Sequence, residues 1–66
     1  MIVEIFDHHE YDQKPELIMR YKPVSNSFKV LEVKNYLIIR QVRYQIESIE
    51  FNYDTDTLGV YCKRCF

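Results

Sequence analysis

The 66-residue sequence contains one glycine, two prolines, two cysteines and no tryptophan. Each scarcity excludes a class of protein. With Gly59 alone, collagen-like repeats, flexible Gly/Ser linkers and glycine-rich phosphate loops are ruled out. Cys62 and Cys65 cannot form a disulfide framework, and a bond closing so short a loop would remove little chain entropy. No apolar run approaches the ~20 residues of a membrane-spanning helix; the longest is Tyr36 to Ile39. The opening Met1-Ile2-Val3-Glu4 lacks the basic region of a secretory leader, so a cytoplasmic protein is expected.

What is present argues for a folded chain. Apolar residues make up 47%, aromatics 15% and the net charge is -1, which removes disorder from consideration. The length allows a single domain covering residues 1-66. Surface scaling gives about 4,500 Å² exposed when folded against about 11,700 Å² unfolded, so only ~62% is buried. A core of that size is marginal, and self-association, as a homodimer, is the expected aid.

Near-neutrality hides a pattern. Residues 1-16 carry Glu4, Asp7, Glu10, Asp12 and Glu16 against Lys14. Residues 17-43 carry Arg20, Lys22, Lys29, Lys34, Arg40 and Arg43 against Glu32. Residues 44-66 carry Glu47, Glu50, Asp54 and Asp56 against Lys63 and Arg64. The order is acidic, basic, acidic. Pairing of these segments within the fold is one expectation; a charged surface for a partner is the other.

Strand signals dominate. Ile2 to Phe6 is β-branched and aromatic. Leu17, Met19 and Tyr21 alternate with Ile18, Arg20 and Lys22, and Pro23 ends that run. Phe28 to Val33 reads as a further strand, with Lys34-Asn35 as a tight turn into Tyr36 to Ile39. Ile49, Phe51 and Tyr53 alternate with Glu50 and Asn52. Asp54 to Thr57 is a turn cluster, and Leu58, Val60 and Cys62 alternate on the return, so a C-terminal β-hairpin is predicted. The loops fall at His8 to Glu16 and Pro23 to Ser27. A helix competes over residues 36-47, because Ile38, Val42, Ile46 and Ile49 are spaced 4, 4 and 3. Their β-branched character favours strands with a break near Gln41 to Arg43. The expected fold is all-β: a small antiparallel sheet or half-barrel of five to six short strands. An α+β domain with one helix near residues 36-47 is the alternative.

Chemistry is thinly represented. Cys62-Lys63-Arg64-Cys65 has the spacing that lets two thiolates share a zinc or act as a redox dithiol. Only His8 and His9 remain to complete a tetrahedral site, and both could ligate only from a loop. Cys62 as a core residue and Cys65 in the tail is the preferred reading. No metal or cofactor is expected. Asp54-Thr55-Asp56 lacks the glycine and distal glutamate of a calcium loop. Ser25, Ser27 and Ser48 carry no nucleophile signature, and no enzyme is expected.

The six tyrosines exceed what a small core can hide, and tyrosine beside arginine makes a good interface anchor. Tyr21, Tyr36, Arg40, Arg43 and Tyr44 are the candidate partner-binding residues. The expected function is a non-enzymatic protein-protein interaction module. Very small chains of this kind include accessory and inhibitor proteins of phages and mobile elements that bind a host protein, a class expectation resting on no residue here. The alternatives are a small β-domain binding single-stranded nucleic acid through the basic, tyrosine-rich middle, and a zinc-stabilised domain.

Overall fold

A computed structural model describes residues 1-8, 14-24 and 27-65, with residues 27 and 28 described by their backbone alone. Among these, five strands form one sheet: β1 (Ile2–Asp7), β2 (Glu16–Tyr21), β3 (Tyr36–Ile39), β4 (Val42–Asn52) and β5 (Thr57–Arg64). Their order across the sheet is β2-β1-β5-β4-β3. The protein is an all-β half-barrel. The sheet is mixed and not purely antiparallel, because β1 runs parallel to β5, from Ile2 beside Thr57 to Asp7 beside Cys62. Alternation marks a strand and its faces but carries no information on direction, so the sequence reading missed this one parallel pair.

The helix alternative over residues 36-47 is overturned, and the source of its helical spacing is visible. β3 and β4 form a hairpin with Tyr36 opposite Gln45 and Ile39 opposite Val42. Further along β4, Ile46 faces Cys62 but Ser48 faces Tyr61, so Glu47 is an extra, bulged residue. A bulge advances the side-chain phase by one. Val42, Tyr44 and Ile46 therefore keep a period of two, and Ile49 follows three residues later on the same face. Ile38, the fourth member of the series, is on the other face and 75% exposed.

A second bulge changes β2. Met19 opposes Ile5 and Leu17 opposes Phe6, which leaves Ile18 without a counterpart. Ile18 and Tyr21 pack against the core, while Leu17 and Met19 are exposed. The predicted apolar face of Leu17, Met19 and Tyr21 is thus split by one inserted residue.

The predicted strand over Phe28 to Val33 is also corrected. Ser27–Val30 is a 3-10 turn. β2 and β3 lie at opposite edges of the sheet, and Leu31, between them in sequence, lands in the core at 8% exposed. That core comprises Val3, Ile5, Leu31, Tyr44, Ile46, Val60 and Cys62, with Leu37, Ile39, Val42, Ile49 and Leu58 packed around it.

Turn chemistry follows the backbone. Arg40 and Gln41 both adopt positive φ, 51° and 68°, as the mirror-image two-residue hairpin turn demands. The break expected near Gln41 to Arg43 begins one residue earlier. Lys34 has φ 76°, consistent with the tight turn expected before Tyr36. The Asn52 side-chain oxygen accepts from the amides of Asp54 and Thr55, at 2.9 and 3.3 Å, fixing the tip of the predicted C-terminal hairpin.

Candidate interaction surface

Strand alternation gives the sheet two faces. The inner face holds Val3, Ile5 and Asp7 of β1 and Val60 and Cys62 of β5, all buried. The outer face carries the opposite phase, and the registers arrange it in rows. Glu4, Gly59 and Glu50 lie side by side across β1, β5 and β4. The next row is Phe6, Tyr61 and Ser48. Lys63, Gln45 and Tyr36 follow, and then Arg43 and Ile38.

Gly59 has a specific use at the acidic end. A Cβ there would meet Tyr61 Cε2 at 3.3 Å and the Tyr61 hydroxyl oxygen at 3.5 Å. The tyrosine ring therefore folds over the glycine. It also stacks on Phe6, with centroids 5.1 Å apart and planes inclined by 13°. Burial, with Glu50 and then Glu4 adding negative charge, raises the Tyr61 phenol above its ordinary value. Beside this pair runs an open groove of about 490 Å³, walled by Glu50 and by Tyr53 at the hairpin tip. Tyr53 is 87% exposed and meets Phe51 edge-on, centroids 4.8 Å apart. Glu4 holds Arg20 at 3.7 Å, an ion pair between the acidic first third of the chain and its basic middle.

The other end of the face is basic. The Arg43 guanidinium carbon lies 4.0 Å from the centre of the Tyr36 ring, a cation-π contact that holds both exposed side chains in place.

The sequence candidates separate accordingly. Tyr36 and Arg43 come together on the outer face. Arg40 is at the β3–β4 turn and donates from Nη1 to the Ile18 carbonyl at 3.0 Å, tying the turn to the opposite edge of the sheet. Tyr21 is half-buried against the core. Tyr44 is 4% exposed and offers no surface to a partner, because Gln45 and not Tyr44 holds the outward phase of β4. Glu4, Phe6, Ile38, Glu50, Gly59 and Tyr61 are outer-face residues that the sequence reading passed over. A signal existed, since Gly59, Tyr61 and Lys63 occupy the outward phase of the last strand.

The cysteines lie apart. Cys62 is fully buried and Cys65 half-buried, both as free thiols. Three extended residues span ~10 Å, beyond the ~7 Å limit for a disulfide. Burial first, then Asp7, with Glu47 and Cys65 adding, pushes the Cys62 thiol up to about 11, the opposite of what a thiolate ligand or redox nucleophile needs. The His8 amide donates to the Cys62 carbonyl at 2.8 Å, so backbone pairing brings that histidine beside Cys62; His9 falls outside the described residues. Among the described residues no group of three or more His, Cys, Asp or Glu side chains is placed to hold a metal ion. Asp7, 2% exposed, is held by Arg64 Nη2 at 3.1 Å.

The chain matches no family model, no curated protein and no solved structure.

Proposed function

We propose that the protein is a non-enzymatic protein-interaction module and that the outer face of the sheet is its contact surface. The observation that carries this reading is the uncovered aromatic and aliphatic area on and beside that face. Tyr36 is 51% exposed, Ile38 75% and Tyr53 87%, alongside the stacked Phe6 and Tyr61. Tyrosine and arginine are the side chains that anchor protein interfaces, and here Arg43 and Tyr36 are held ready by their mutual contact. The same pair would suit a nucleic-acid base, but Glu4 and Glu50 on the same face repel a phosphate backbone.

Immobilised protein is used to capture partners from nuclease-treated lysate, and the wild type is compared with Ile38→Asp and Arg43→Glu. Both substitutions are at exposed outer-face positions and should abolish capture of proteins the wild type retains. Retention of the same proteins by both variants overturns the reading. Salt-dependent gel retardation of single-stranded nucleic acid by the wild type would transfer the face to the nucleic-acid alternative.

A further inference from the structure

We infer that the occupant of the outer face is a second copy of this chain, packed face to face about a two-fold axis beside Tyr61, with Lys63 of each copy set over the Gly59 row of the other. This rests on the reading of that face as the contact surface.

Charge complementarity across the face selects this occupant. Along β5, Gly59 and Lys63 stand two residues to either side of Tyr61, about 7 Å each way. Glu4 and Glu50 flank Gly59, while exposed Lys63 neighbours Gln45. A face-to-face pair must be related by an axis lying between the sheets. An axis crossing the strands at Tyr61 reverses position along β5 and keeps position across the sheet. It sets the basic row of each copy over the acidic row of the other. Lys63 then approaches Glu4 and Glu50, which stand on either side of the Gly59 covered by the Tyr61 ring. The two Phe6–Tyr61 stacks meet at the centre. Every contact occurs twice, as an isologous interface requires. Sheets packed in this way are about 10 Å apart, a distance that a lysine and a glutamate side chain bridge together.

Sedimentation equilibrium from micromolar to several hundred micromolar tests the arrangement. Wild type should be a dimer. Lys63→Glu alone, and Glu50→Lys alone, should each weaken dimerisation at least tenfold, because each places like charges together twice. An equimolar mixture of the two variants should recover the wild-type affinity, because every contact in the mixed dimer again joins opposite charges. The double variant K63E/E50K should recover it within one chain, which keeps the test open should either single variant fold poorly. On dilution of the wild type, amide shifts should move at Glu4, Gly59, Tyr61 and Lys63. A monomeric wild type overturns the inference. So does a dimer indifferent to both single variants, whose dilution shifts fall on the β3 edge, or a mixture no tighter than its components. A monomer whose Ile38→Asp and Arg43→Glu variants lose captured proteins removes only the second copy as occupant and leaves the interaction module standing. A monomer whose variants capture what the wild type captures removes the module as well.

Discussion

Arg40 shows whether an exposed cation in this chain serves a partner or the fold. Its guanidinium reaches 22 residues back along the chain to the Ile18 carbonyl at 3.0 Å. That bond ties the β3–β4 turn to β2, which is otherwise an edge strand paired with β1 alone. Arg40→Ala removes the tie and leaves the positive φ of 51° to another side chain with a Cβ, so the turn's own cost is nearly unchanged. A hydrogen bond from a charged donor contributes up to ~3 kcal/mol when buried, and solvent screening at this exposed site reduces that to about 1 kcal/mol. Against a total of roughly 3–10 kcal/mol for a chain this long, the loss is measurable. Tm should fall by about 4–8 °C, and β2 amides should lose about fivefold in hydrogen-exchange protection, more than those of the β4–β5 hairpin. Gln41→Gly should act in the opposite direction, because it relieves the φ of 68° in the same turn, for a gain of about 0.5–1 kcal/mol. An Arg40→Ala variant with unchanged Tm and exchange but weakened capture of proteins would refute this reasoning and return Arg40 to the contact residues.

Further outcomes follow from the cysteines, Gly59 and Arg64. At pH 8 a thiol reagent should label native Cys65 promptly and Cys62 only on unfolding; equal rates would contradict the burial of Cys62. The folded Cys62 thiol loses its proton near 11 and the unfolded one near 9, so between those values the folded chain holds more protons. This contribution to stability should be constant below pH 9 and fall as pH rises from 9 to 11, a decline that Cys62→Ala should remove. Gly59→Ala should shift the Tyr61 ring, which is 3.3 Å from the new methyl position, and bring the phenol's spectrophotometric titration down toward its ordinary range; an unaltered titration refutes the roofing of Gly59. Arg64→Leu should cost about 2 kcal/mol in urea unfolding, because the carboxylate of Asp7 is 2% exposed and loses this 3.1 Å ion pair.

Much of the fold was legible because alternation dominates where one face is buried. The C-terminal hairpin is the clearest case, with Leu58, Val60 and Cys62 inward and Asn52 holding the tip. The misreadings share one cause. A single inserted residue resets the phase of a strand, so Glu47 gave β4 a helical spacing and Ile18 split the apolar face expected of β2. Bulges leave no composition signature. The β-branched and aromatic content of Phe28 to Val33 favours a strand, yet the segment forms a 3-10 turn and delivers Leu31 to the core, a tertiary demand that local propensity does not register. On the surface, the pairing of tyrosine with arginine was foreseeable in kind. Which pair survived depended on phase, since Tyr36 and Arg43 face outward while Tyr44 faces the core.

The acidic-basic-acidic order of the chain has its explanation in the one parallel pair. Were β1 paired only with β2, the acidic first third would lie beside the basic middle, and the Glu4–Arg20 contact would be the general pattern. Instead β5 enters next to β1, in parallel, and brings the acidic last third against the acidic first. Glu4 and Glu50 thus come to flank the same residue, Gly59, though 46 positions separate them in sequence. The basic middle is displaced toward the edges, where Arg43 stands over Tyr36 and Arg40 ties the turn to β2. Like charges concentrated at one end of a small face repel one another, and a fold that gathers them needs an offsetting interaction. Within the monomer Arg20 supplies part of it at 3.7 Å from Glu4. Lys63 of an opposed copy would supply more, which is why reversing Lys63 and Glu50 separately and then together tests the logic of the topology as well as the contact.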